Sequence, residues 1–196
     1  MNLVEMINAV AERAIWAGIV NGIYGIDHWR RTFKLAEAIM KKTGGNKHIV
    51  SFAALCHDIG RVNHNRDRNH GYRGASVAIR VAGNIFAANP MSMALPKDFN
   101  GTMVVMGKIA DIVSRHCLDH RPDYLEMQIV NDANILDRVR FDGKRSIDVS
   151  KFAMPEVSKK LIKTALKMLK DDPVPERKAE IIQVRKKLIL PKGGRH

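Results

Sequence analysis

Ala53-Ala54-Leu55-Cys56-His57-Asp58-Ile59-Gly60-Arg61 is the stretch that decides the fold. Its apolar half extends the stripe Ile49, Phe52, Ala53 and Cys56, so the His-Asp pair stands on the last turn of what reads as a buried helix. An aliphatic helix has no structural use for an imidazole beside a carboxylate, because burying either without a partner costs several kcal/mol. A divalent ion resolves the conflict, since neutral imidazole nitrogen and carboxylate oxygen both ligate borderline and hard first-row ions. The alternative for the same dipeptide is a histidine capping a helix end and a solvated aspartate in a turn.

Outward from this stretch the periodicity is helical almost everywhere. Val4, Ile7, Val10, Ala11 and Ile15 form one stripe, and His28 to Lys41 a second that stops at Thr43-Gly44-Gly45. Gly71 to Ala88 reads as a helix ended by Asn89-Pro90, and Met91 to Asn100, with two prolines, as a loop or lid. Further helices are expected over Met103–Cys117, Leu125–Phe141, Glu156–Leu169 and, after Asp171-Asp172-Pro173, Glu176–Leu190. No strand pattern, internal repeat or low-complexity segment interrupts them. The expectation is an all-α, single-domain bundle of about eight helices. Residues 1–150 would form the metal-binding part, with basic helices over 151–196 packed on the same domain.

A chain of 196 residues with 45% hydrophobic and 6% aromatic residues has room for one substantial core. No apolar run approaches the length of a membrane span. The start, Met1-Asn2-Leu3-Val4-Glu5, lacks the basic and small-residue features of a signal peptide, so a cytoplasmic location is expected. Two cysteines, Cys56 and Cys117, make no disulfide framework, and an inert thiol is the expectation for Cys117 despite its neighbour His116. The formal net charge of +13 favours anionic partners. Many of the cations, including Lys159, Lys160, Lys186 and Lys187, crowd the last fifth of the chain as a solvated face and tail. Arg30, Arg31, Arg61, Arg66, Arg68 and Arg73 instead flank the histidines, and the loop from Arg61 to Arg73 is expected to form a phosphate-facing wall.

Four separated segments now agree in order and context: Asp27-His28-Trp29, His57-Asp58, Asn69-His70-Gly71, and Arg115-His116 followed by Asp132-Ala133-Asn134-Ile135-Leu136. From about Gly25 to Arg140 the chain resembles the HD superfamily of metal-dependent phosphohydrolases. The resemblance implies that His28, His57 and Asp58 ligate one divalent ion (Mn, Fe, Co, Ni, Zn or Mg). It implies further that His70 and His116 hold a second ion or face a phosphate, as in two-metal relatives. The late-helix ligand departs from the family, because the position usually occupied by Asp carries Asn134. Asp132 lies about 200° around an ideal helix from it. The ligand is therefore either Asn134 through its amide oxygen, or Asp132 through local distortion.

The expected function is hydrolysis of a phosphomonoester or phosphodiester, on a nucleotide or similar small molecule, by a metal-activated water. Asp58 serves the ion, Arg61 holds phosphate, and Asp67 accepts a proton or orients water. A different class of reading is a catalytically weak HD module that binds nucleotide or nucleic acid, docked through the basic C-terminal helices and marked by Asn134.

Overall fold

A computed structural model describes residues 3–15, 19–65, 67–88, 99–117 and 122–171. The expected lid at Met91 to Asn100 lies mostly outside these residues. So do Arg66, His120, the helix over Glu176–Leu190, and Lys186 and Lys187. Helices α1 (Leu3–Ala11), α2 (Ile26–Thr43), α3 (Lys47–Cys56), α4 (His70–Ala88), α5 (Phe99–Arg115) and α6 (Leu125–Leu136) form the body. Then come the short α7 (Val139–Asp142) and α8 (Pro155–Ser158), and α9 (Ile162–Asp171). The all-α expectation holds: among the described residues there is no strand, and seven helices have nine residues or more, against about eight expected. No helix among these residues is long and apolar enough to cross a membrane.

The molecule is built around α3. Every residue from Ile49 to Cys56 is buried, as expected of a helix that is apolar all round and enclosed by neighbours. Helices α2, α5 and α6 flank it, with α4 and α1 behind. Its N-terminus is fixed twice. The Asn46 side chain accepts from His48 and Ile49 N–H groups at 3.0 and 3.2 Å, which satisfies donors that a helix start leaves free. The Asn46 N–H in turn donates to Glu126 of α6 at 3.1 Å. At the other end the chain turns at His57, delivering the His-Asp pair to the middle of the molecule.

Two of the expected helices are broken. The run from Leu125 to Phe141 divides at Asp137, the C-cap of α6, and resumes as α7. The run from Glu156 becomes α8, a 3₁₀ turn at Lys159–Leu161, and α9. The segment after Asp142, expected as a polar connection, folds as 3₁₀ turns at Gly143–Ser146 and Val149–Lys151. From there the chain packs onto the body through Phe152, Leu161, Ile162 and Ala165. The 3₁₀ turn, α8 and α9 reach α2.

Candidate metal centre

His28 enters from the first turn of α2, His57 and Asp58 from the end of α3, His70 from the start of α4 and His116 from the end of α5. All five are nearly inaccessible at the side chain, at 4% exposure or less. Two close helix crossings bring them together. A Cβ on Gly60 would stand 2.0 Å from the His70 carbonyl, and one on Gly71 would stand 2.6 Å from the carbonyls of Val113 and Ser114. Only glycine lets the turn after Asp58 meet α4, and α4 meet the end of α5, at these distances.

Asp58 is the hub. Its Oδ2 lies 3.4 Å from His28 Nε2 and 3.6 Å from His57 Nε2. Its Oδ1 lies 2.9 Å from His70 Nε2 and 3.5 Å from His116 Nε2. The histidines face each other in pairs, Nε2 to Nε2, at 2.8 Å for His28 with His57 and 2.9 Å for His70 with His116.

The far side of each ring is already committed. His57 Nδ1–H donates to the Ala54 carbonyl at 2.8 Å, His116 Nδ1–H to the Val113 carbonyl at 2.8 Å, and His70 Nδ1–H to the Asp67 carbonyl. His28 Nδ1–H donates to the Asp137 carboxylate at 2.7 Å. A carbonyl and a carboxylate only accept, so each ring carries its proton on Nδ1 and turns an Nε2 lone pair inward. Four inward lone pairs around one carboxylate make a donor set that a shared cation satisfies. An extra proton is disfavoured at two of the rings, because burial pushes the His57 imidazole well below its ordinary pKa and lowers that of His116. The donor set therefore fits a metal ion: neutral imidazoles with fixed tautomers around an anionic oxygen. Two groups have ligand atoms within 4.8 Å of one another, His28 with His57 and Asp58, and His70 with His116 and Cys117.

The Asp58 carboxyl itself would be raised by burial, but Arg61 and the neighbouring imidazoles hold it well below the usual carboxylate range. Arg61 Nε donates to Asp58 Oδ1 at 2.8 Å, and its guanidinium lies 3.7 Å from the centre of the Tyr24 ring. Behind His28 stands a second buried network. Asp137 accepts from Arg31 Nε at 2.6 Å and from Arg140 at 3.0 Å. Burial acts to raise the Asp137 carboxyl, yet Arg140, His28 and Arg31 bring it down to about 2.

A cleft of about 690 Å³ opens over the cluster. Asp58, His70, His116 and Cys117 line it together with the cations Arg61, Arg138, Arg140 and Lys151, and Tyr24, Phe141 and Phe152 supply apolar surface. Among the described lining residues Asp58 is the one carboxylate, so the wall favours an anion.

The chain matches the model of the HD domain over residues 25–139, more than half of its length. It belongs to the HD domain family. No curated protein and no solved structure shows a significant match to it. HD domains bind divalent metals, and the buried His/Asp groups of this one are compatible with such an ion.

Several expectations change once this HD domain is seen folded. Asp132 is not at the cluster. Its two oxygens accept from the Ala153 and Met154 N–H groups at 2.7 and 2.9 Å and from the Ser158 hydroxyl at 2.6 Å, so no lone pair is directed at the histidines. Asn134 is the alternative that lines the cleft. Asp67 does not face the cleft either: its carboxylate accepts from Arg73 and from the Val62 N–H, closing the loop on itself. Of the arginine-rich loop, only Arg61 lines the cleft among the described residues, because Arg73 is tied to Asp67 and to the Gly60 carbonyl. The other cations among the described lining residues are Arg138, Arg140 and Lys151, and Arg140, like Arg61, lies against the Tyr24 ring. Asp137, Arg140 and Tyr24 were not anticipated as parts of the site. The available signal was the helical spacing of Ala133, Leu136, Asp137 and Arg140, which places two charged groups on an otherwise buried face.

Proposed function

We propose that this HD domain is a metal-dependent phosphohydrolase, a phosphomonoesterase or phosphodiesterase, acting on a nucleotide or similar small phosphate ester. One observation carries the reading: four Nε2 atoms converge on the two oxygens of Asp58, which lines a cleft together with several cations. His28, His57, Asp58, His70 and His116 would hold the divalent ions, which would supply a hydroxide nucleophile at neutral pH and a Lewis acid for the phosphoryl oxygen. The remaining work falls to side chains. Arg61 keeps Asp58 ionised and fixed. Asp137 holds His28 in the tautomer that presents Nε2 inward. Arg138, Arg140 and Lys151 stand where a phosphate needs its charge balanced. Tyr24, Phe141 and Phe152 offer flat apolar surface to the organic part of the substrate. The cleft volume suits a ligand of nucleotide size.

The test is a panel of nucleotides and nitrophenyl mono- and diesters, assayed on metal-free protein reloaded with Mn, Co, Ni, Zn, Fe or Mg. Turnover that appears with one of these ions and vanishes on chelation supports the reading. A protein that retains its metal yet turns over no ester in the panel refutes it.

A second reading is favoured by Asn134, which stands in the cleft where the family usually has a carboxylate. On that reading the domain binds a nucleotide without turning it over. Micromolar nucleotide binding without product, restored to turnover by Asn134→Asp, would establish it.

A further inference from the structure

We infer that Cys117 is a metal ligand, and that His70, His116, Cys117 and the Oδ1 of Asp58 form a thiolate-containing position distinct from the all-N/O position of His28, His57 and Asp58. The inference rests on the metal-dependent reading of the cluster, and it names a ligand for which that reading has no use. The Sγ of Cys117 belongs to a group whose donor atoms, with those of His70 and His116, all lie within 4.8 Å of one another. It also lines the cleft with them.

The local chain repeats a device already seen. At the end of α3, His57 gives its Nδ1–H to the carbonyl three residues back and is followed directly by an anionic ligand, Asp58. At the end of α5, His116 gives its Nδ1–H to the carbonyl three residues back and is followed directly by Cys117. In both places a helix end sets an imidazole Nε2 beside a second donor; the Cys117 thiol donates to the Arg68 carbonyl at 3.6 Å and would give up that proton on binding a metal. His70, anchored in the same way on the Asp67 carbonyl, completes the second set. Burial raises both thiols, that of Cys56 to about 12, and the two differ in place: Cys56 is sealed inside α3, whereas Cys117 lines the cleft.

The chemical consequence is selectivity. A thiolate with two imidazoles prefers Zn, Co, Ni or ferrous iron over Mg or Mn, which favour all-oxygen surroundings. Binding releases the thiol proton to solvent. The two positions should therefore differ in the ions they keep.

Cobalt(II) titration of the metal-free, full-length protein tests this without any substrate. A near-ultraviolet thiolate-to-cobalt charge-transfer band is expected, together with uptake of about two ions per chain. Cys117→Ser should abolish the band and weaken one of the two binding steps at least about tenfold. His70→Ala should also abolish it while leaving the thiol present, and Cys56→Ala should keep it. Circular dichroism confirms that each variant is folded. Absence of the band from wild-type protein, or its survival in Cys117→Ser, overturns the assignment. Failure of the phosphohydrolase reading has another signature: the band is intact and no ester is turned over.

Discussion

The two halves of the histidine cluster are built differently. His28 and His57 lie deep, and His28 is backed by Asp137, Arg31 and Arg140, an ion network that is itself buried. His70 and His116 have no carboxylate behind them. Each leans on a carbonyl of its own chain, three residues back, and both line the open cleft. In the first half His28 is held by long-range tertiary pairing and His57 by the Ala54 carbonyl of its own helix, whereas the second half is held by local backbone geometry plus two close glycine crossings. The deep half is thus the one that distant mutations can loosen, and the open half is the one that a substrate can reach. Asp58 joins them, giving one oxygen to each.

The largest effect should come from breaking that join. Asp58→Ala removes the shared carboxylate, so metal affinity at both halves should fall by more than about 100-fold, and turnover with it. Metal content after desalting, measured by elemental analysis, checks this. Retention of metal in either half would show that the halves stand without the hub.

Asp137→Asn should separate the halves. It leaves the Arg31 and Arg140 charges buried without their anion, costing about 3–5 kcal/mol of stability, and it loosens His28 enough to weaken the deep half about 10–100-fold. The open half should keep its thiolate band. The acid limb of the stability curve offers a second check. The Asp137 carboxyl is lowered to about 2 from an ordinary 3.8. Its contribution is complete above the ordinary value and lost as the pH falls toward 2. The stability difference between wild type and Asp137→Asn should therefore shrink over that window in urea melts at stepped pH.

Asn134→Asp should add a charged oxygen to the cleft and tighten metal binding by up to about tenfold. Calorimetric titration measures it, and a shift of the cobalt–thiolate band would assign the new oxygen to the open half. The smallest effect on the metal should come from Asp132→Ala. It strands the N–H groups of Ala153 and Met154 and the hydroxyl of Ser158, costing about 1–3 kcal/mol, while metal content stays unchanged. Loss of metal in that variant would return Asp132 to the ligand set.

The sequence also shows where its own reading had to stop. His57 and Asp58 are legible as a polar pair at the end of an apolar helical stripe, where burial without a partner is costly, and His28, His70 and His116 are legible through the resemblance to the HD superfamily. The choice between Asp132 and Asn134 was not legible: both sit on α6, and only the fold of residues 153–158 shows that Asp132 is occupied. Asp67 looked catalytic by its place in the loop, yet the loop's own arginine, Arg73, claims it. Cys117 read as an inert thiol because residue type alone does not tell a core cysteine from a ligand.

The sequence by itself determined the all-α class, the order of the helices and the buried His57-Asp58 pair, while His28, His70 and His116 entered through the family resemblance. Helical period and the cost of buried polar groups are local properties, written in neighbouring positions. Tertiary structure alone decided which carboxylate joins the histidines and which is taken up by its own chain. It decided too that Asp137 stands behind His28 from over a hundred residues away, and that one wall of the cleft comes from residues 138–153. A carboxylate has the same chemistry in every setting, and its role is set by which donors the packing of distant helices brings within about 3 Å of it.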